Sequence, residues 1–174
     1  MTTGTKSYLI GCHQFLLHPL FVTIAWKKYH KRFPRPWELV CILIHDIGIV
    51  GKDYLKPGGK SGHWIKGTRL AGTLFGLKGT LLVKGHTSES RDNVHWERSN
   101  MFIPDKTSYL YAPMLWLRWC TWVEGFIKLS GITAYQWHDL VKKNAEAGFP
   151  NGAHKVYMDA HITWGDKNGT SDYL

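Results

Sequence analysis

The sequence predicts an all-α fold, a helical bundle followed by an irregular C-terminal tail, on three observations. No stretch alternates apolar and polar residues for long enough to form a half-buried strand. Several segments instead place apolar residues at helical spacing, and breakers such as FPRP and the Gly-rich GIVGKDYLKPGGKSG fall between them. The chain of 174 residues, 44% hydrophobic and 20% charged, is long enough for one packed domain (1–174) and has the composition of a folded protein.

The first predicted helix is HPLFVTIAWKKYHKRF, with apolar residues at Leu20, Phe21, Ile24 and Ala25 and with Pro19 in its first turn, where a missing N–H costs nothing. Lys27, Lys28, Lys31 and Arg32 gather at its C-terminal end, where cations complement the helix dipole. FPRP then breaks the chain, and Pro36 opens PWELVCILIHDIG, a helix apolar nearly all round and so expected at the centre of the bundle. GIVGKDYLKPGGKSG reads as a loop. HWIKGTRLAGTLFG and TLLVKGH follow as two shorter helices, and TSESRDNVHWERSN as a second loop. PDKTSYLYAPMLWLRWCTWVEGFIKL is expected to be one helix kinked at Pro113, with Trp116, Trp119 and Trp122 on a core-facing stripe. TAYQWHDLVKKNAEAG is the last amphipathic helix, N-capped by Thr133 and C-capped by Gly148.

Three cysteines, Cys12, Cys41 and Cys120, are too few and too scattered for a disulfide framework or a zinc ribbon, and are expected as free thiols in a cytoplasmic protein. The N-terminus lacks the pattern of a signal peptide, and no apolar run is long enough to span a membrane. A formal charge of +9 favours an anionic partner, with phosphate the commonest candidate.

A histidine beside an aspartate at the end of the apolar run LVCILIHD raises a physical question, because buried charges are rarely left unpaired. His18 stands at the head of the preceding helix, and the short connection makes the two helices antiparallel neighbours that bring His18 and His45 to one level. His63 opens the next helix, His86 closes the one after it, and Asp105 begins another. Together with Asp46 these are four imidazoles and two carboxylates, a donor set suited to two divalent ions such as Mn, Fe, Co, Ni or Zn. Asp46 is the natural bridging carboxylate. His13 is a reserve for His18 and Asp92 for Asp105, whereas His30, His95, His138, His154 and His161 are expected at the surface.

The order His, His-Asp, His, His, Asp over residues 18 to about 110 resembles the HD-domain metal-dependent phosphohydrolase superfamily, in its HDIG spelling at 45–48. The resemblance implies an HD-like helical bundle, with His18, His45, Asp46 and Asp105 as the core ligands of one metal and His63 and His86 adding a second. The family often carries Lys directly after HDIG; here Ile49 stands there and Lys52 follows three residues on. Many two-metal members have His-His where this chain has His86-Thr87.

The expected activity is hydrolysis of a phosphate ester of a nucleotide or short phosphodiester by metal-activated water. Asp46 is then the central catalytic ligand. Among Lys52, Lys56, Lys60, Lys66, Arg69, Lys84 and Lys106, the cations expected to hold substrate phosphate are Lys52, Lys66 and Arg69, with GKDYLKPGGK as a lid. The partner is a phosphorylated small molecule, with single-stranded nucleic acid the substrate if the chain is instead a standalone HD nuclease. A further alternative is an HD-type di-iron oxygenase, like the inositol and aminophosphonate oxygenases, whose ligand pattern is the same. No membrane contact is expected, and the sequence does not fix the oligomeric state.

Overall fold

The computed structural model describes residues 1–53, 55–56, 61–87 and 98–148. The tail from Phe149, with His154 and His161, lies outside them, as do Lys60, Asp92 and His95. The described residues are all-α, with no strand among them. They form α1 (Thr3–Ile10), α2 (Leu17–His30), α3 (Pro36–Ile44), α4 (Trp64–Phe75), α5 (Leu77–Lys84), α6 (Phe102–Thr107), α7 (Met114–Val123), α8 (Phe126–Ser130) and α9 (Ala134–Glu146). Short 3-10 turns follow α3 (Ile47–Ile49) and α6 (Ser108–Tyr111). No helix among the described residues is long and apolar enough to cross a membrane.

The central element is α2 rather than α3. Its buried face is His18, Phe21, Val22, Ala25 and Trp26, so Phe21 and Ala25 fall where the spacing places them, while Leu20 and Ile24 are exposed. Phe21 enters one core cluster, with Cys12, Leu117, Cys120, Trp137 and Val141. Val22 and Trp26 enter another, with Cys41, Ile42, Ala71, Leu82, Val83 and Met101. Serving both clusters, α2 packs against α3, α6 and the 108–111 turn. In α3, Cys41 and Ile42 are fully buried, yet Leu39 and Leu43 on the other side are exposed, which corrects the expectation of burial all round.

Local signals account for most helix ends. Pro36 occupies the first turn of α3, and the Glu38 carboxylate accepts the Arg35 backbone N–H at 2.6 Å while Arg32 grips both of its oxygens at 2.7 and 2.8 Å. In α9, Thr133 and Gln136 form a reciprocal capping box, and Gly148 follows the end at φ +70°. Between α4 and α5 the chain turns at Gly76, whose φ of +65° is open to glycine and costly for other residues. The segment expected as one kinked helix is instead α6, a 3-10 turn, α7 and α8, interrupted at Pro113 and again at Gly125.

The tryptophan stripe of α7 is likewise corrected. Trp119 and Trp122 are exposed, with rings 5.4 Å apart, and only Trp116 packs onto the core, against Phe21. All three cysteines are free and buried. His30 is partly buried, its Nε2 2.8 Å from the Asn100 carbonyl, and His138 lies near Asp139 on α9.

Candidate metal centre

Six residues from five parts of the chain meet at one end of the bundle. His18 is in the first turn of α2, and His45 and Asp46 follow the last turn of α3; because the two helices run antiparallel, the His18 and His45 rings lie 5.3 Å apart. His63 immediately precedes α4, His86 follows α5, and Asp105 is on α6. His18, His45, Asp46, Asp105 and His86 are all buried, while His63 is partly exposed.

Their atoms form two groups that share Asp46. In the first, Asp46 Oδ2 is 3.3 Å from His18 Nε2 and 3.1 Å from His45 Nε2, and Asp105 Oδ1 is 3.2 and 3.4 Å from the same two nitrogens. In the second, Asp46 Oδ1 is 3.7 Å from His86 Nε2 and 4.0 Å from His63 Nε2. Each group presents one ligand atom per residue within a span of 4.8 Å. Two donors bound to one ion at roughly 2.1 Å and near-tetrahedral or octahedral angles stand about 3.0–3.4 Å apart, so the first group has the spacing of a metal site.

Hydrogen bonding gives a chemical reason for the same conclusion. His45 Nδ1 lies 2.6 Å from the Ile42 carbonyl, and His86 Nδ1 bonds to the Val83 carbonyl. A carbonyl only accepts, so both Nδ1 atoms carry hydrogen and donate, which leaves Nε2 with a lone pair in the neutral ring. Those Nε2 atoms are buried and have no hydrogen-bond partner, yet they face carboxylate oxygens. A lone pair opposite a carboxylate demands a cation between them, either a proton or a metal. The four donors of the first group, and Asp46 with His63 and His86 in the second, therefore could hold metal ions.

The electrostatics of the chain alone run the same way. Burial would lower His45, but the Asp46 charge and then Asp105 hold it up at about 10. His18 is raised for the same reason, with Asp105 and Asp46 outweighing burial. Burial pushes both carboxyls up, but His45, His18 and His86 hold Asp46 well below its usual range, and Lys106, His18 and His45 do so for Asp105. The cluster stabilises cations strongly. His18 differs from His45 and His86 in having a buried Nδ1 without a partner; its ring is held by Tyr109, stacked at 5.4 Å.

Two close backbone approaches hold the halves together. A methyl group on Gly48 would overlap the His63 carbonyl, and one on Gly67 would lie 2.6 Å from the His45 carbonyl oxygen. Glycine at these points lets α4 press against the end of α3, which brings His63 to Asp46. Ser99 then pins the end of α5, its Oγ–H donating to the Leu82 carbonyl at 2.7 Å and its N–H to Gly85 at 3.0 Å, beside His86.

The six expected ligands are thus brought together. Of the cations expected to line the site, Lys52 donates to the Ser61 carbonyl, and Lys66 and Arg69 lie on the exposed face of α4, opposite the Gly67, Thr68 and Ala71 face that packs inward. None of the three has an ion pair to the cluster. Lys106 is in contact with it, its Nζ 2.8 Å from Asp105 Oδ2. Its position directly after Asp105 was the available signal, though adjacency in a helix does not show which way a side chain reaches. Burial, and after it the Asp46 charge, raise the phenol of Tyr8 in α1 above the usual value. Comparison with protein-family models, curated proteins and solved structures found no match to this chain.

Proposed function

We propose that the chain is a metal-dependent phosphohydrolase of HD type, holding two divalent ions and cleaving a phosphate ester of a nucleotide or short phosphodiester. The observation that carries the reading is the pair of donor groups sharing Asp46: His18, His45, Asp46 and Asp105 on one side, His63 and His86 on the other. When bound, such ions supply Lewis acidity toward a phosphoryl oxygen and acidify water enough for attack at neutral pH.

The chain supplies the rest. The Ile42 and Val83 carbonyls fix the tautomers of His45 and His86 and aim both rings inward. Asp46 uses its two oxygens separately, one toward each group, which keeps the groups in register. Val22, Ile42, Val83 and Met101, all fully buried, exclude water from behind the centre and lower the local dielectric. Lys106 neutralises the outer oxygen of Asp105, which supports it as a cation for a substrate phosphate. The formal charge of +9 favours an anionic substrate.

The test is elemental analysis of protein purified without chelator, with its electron-spin spectrum, followed by turnover of nucleotides and of a chromogenic phosphodiester in added Mn(II), Co(II) or Ni(II). About two equivalents of metal and metal-dependent phosphate-ester cleavage are expected. A coupled di-iron signal with dioxygen uptake would move the reading to an oxygenase, and a chain that neither retains metal nor responds to it would end both. A shallow salt dependence is expected; a steep one would replace the nucleotide by a nucleic-acid strand contacted at several phosphates.

A further inference from the structure

His13 belongs to neither donor group, yet it lies directly beside one of them. Its ring meets the His18 ring edge-on at 5.5 Å, and its Nε2 lies 3.5 Å from the hydroxyl of Tyr109, whose own ring stacks on His18. The other ring nitrogen faces Ser7 of α1, which is fully buried. Ser7 Oγ accepts the His13 backbone N–H at 3.2 Å and stands 2.7 Å from His13 Nδ1.

These contacts fix a tautomer. Ser7 Oγ has a single proton and, among the described residues, one acceptor to give it to, His13 Nδ1. A buried hydroxyl proton without an acceptor is costly, so Ser7 donates to Nδ1, and neutral His13 carries its own hydrogen on Nε2. The metal-facing rings have the opposite arrangement, since Nδ1 of His45 and of His86 donates to a carbonyl and leaves Nε2 bare. Bare Nε2 atoms suit metal ions, whereas an N–H suits an anionic oxygen. At 3.5 Å the contact with Tyr109 is at the long limit of a hydrogen bond, so a closer and charged acceptor would take the N–H in preference.

The turn that carries His13 is held from behind. The backbone N–H of Cys12 donates to Glu124 Oε1 of the segment after α7, and both Cys12 and Glu124 are buried. A buried carboxylate thus fixes the residue before His13, and Ser7 fixes the ring, which is the support a binding group needs to be preorganised.

Building on the phosphohydrolase reading, we infer that His13 is a substrate-binding residue, whose Nε2–H, beside the Tyr109 hydroxyl, donates to a phosphoryl oxygen held on the His18 side of the centre. Lys106 serves the Asp105 side.

The experiment titrates inorganic phosphate into the full Mn(II)-loaded chain by calorimetry, for wild type, His13→Ala and His13→Gln, with metal content measured on each. His13→Ala should keep its metal and bind phosphate at least about tenfold more weakly, the worth of one hydrogen bond to a charged group. His13→Gln should recover most of the loss, because the amide N–H of Gln reaches about where Nε2–H stood. Undiminished phosphate binding by His13→Ala would overturn the inference, and so would its loss of metal, which would place His13 among the groups that build the metal site. If wild type takes up metal but no phosphate, this inference fails while the metal centre stands; if it takes up no metal, the phosphohydrolase reading fails first and this falls with it. Should His13→Ala not fold, nitrogen-15 NMR of the zinc-loaded wild type still decides the tautomer: Nε2–H at His13 is expected, and Nδ1–H there would overturn the argument.

Discussion

Gly48→Ala changes one hydrogen to a methyl group on a residue that offers no ligand atom, and should nonetheless remove half of the metal. The added carbon would lie 2.8 Å from the carbonyl carbon of His63 and closer still to its oxygen. Comfortable contact begins near 3.5 Å for carbon on carbon and a little less for carbon on oxygen, so the nearer oxygen sets the displacement and the two backbones must part by at least about 1 Å. Both partners are main chain, in the 3-10 turn after α3 and at the entry to α4, and neither can swing aside as a flexible side chain would. Overpacking of this kind costs about 1–3 kcal/mol. The displaced residue is His63, already the most distant donor, with Nε2 4.0 Å from Asp46 Oδ1. A retreat of about 1 Å carries it beyond the reach of an ion coordinated at about 2.1 Å. His18 and Asp105 are attached to other elements and His45 is tied to the Ile42 carbonyl within α3; Asp46 precedes the turn that holds Gly48, and the expected outcome is that the entry to α4, rather than the end of α3, gives way. Metal content of the dialysed variant should therefore fall from about two equivalents to about one, with a thermal midpoint lowered by several degrees and helical circular dichroism retained. Two equivalents at an unchanged midpoint would refute the close-approach argument, and a complete loss of metal would show that the two groups are not separately supported.

Asp46→Ala removes the carboxylate that both groups share and should abolish metal retention and turnover while leaving a folded helical protein; His138→Ala on α9 should do neither, and equal effects would rule out the cluster as the site. Lys106→Ala should lower kcat/KM about tenfold to a hundredfold without loss of metal, because it removes the cation on Asp105 Oδ2, whereas Lys66→Ala and Arg69→Ala, on the exposed face of α4, should change it little. The Arg32–Glu38 pair predicts a pH effect on stability. Burial raises Glu38, but the Arg32 and Arg35 contacts outweigh it and lower its pKa below the usual 4.5. Its stabilisation is then complete above about 4.5 and is lost as pH falls through the lowered folded value. Denaturant titrations should find Glu38→Gln less stable than wild type at pH 7, and the gap should narrow as pH falls below about 4.5; a gap independent of pH would count against the charged pair.

The grouping of the six candidate ligands was legible in the sequence because its signal is local. Each histidine or aspartate stands at a helix end or in a first turn, marked by Pro19, by the HDIG turn or by the start of a helix. Antiparallel connection of two short-linked helices then brings His18 to His45 with little freedom. Helix class and the caps at Pro36, Thr133 and Gly148 are local for the same reason, since they depend on backbone dihedrals and on hydrogen bonds a few residues apart.

What the tertiary structure decided is which apolar surface is covered and which way long side chains turn. The periodicity of α2 and α3 marks them as buried helices, but only the packing places α2 in the middle and leaves Leu39 and Leu43 outside. The repeat of Trp116, Trp119 and Trp122 shows that they share a face, and says nothing about whether another element covers it. The cations are the clearest case. Lys52, Lys66, Arg69 and Lys106 all lie close to ligands in the sequence, but a flexible side chain acts where its terminal charge finds a partner, and only Lys106 finds one in the cluster. His13 could be read from the sequence only as a spare ligand. The buried hydroxyl of Ser7, brought to it by the turn after α1, gives its ring the opposite tautomer, because which ring nitrogen holds the hydrogen depends on the neighbour the fold supplies.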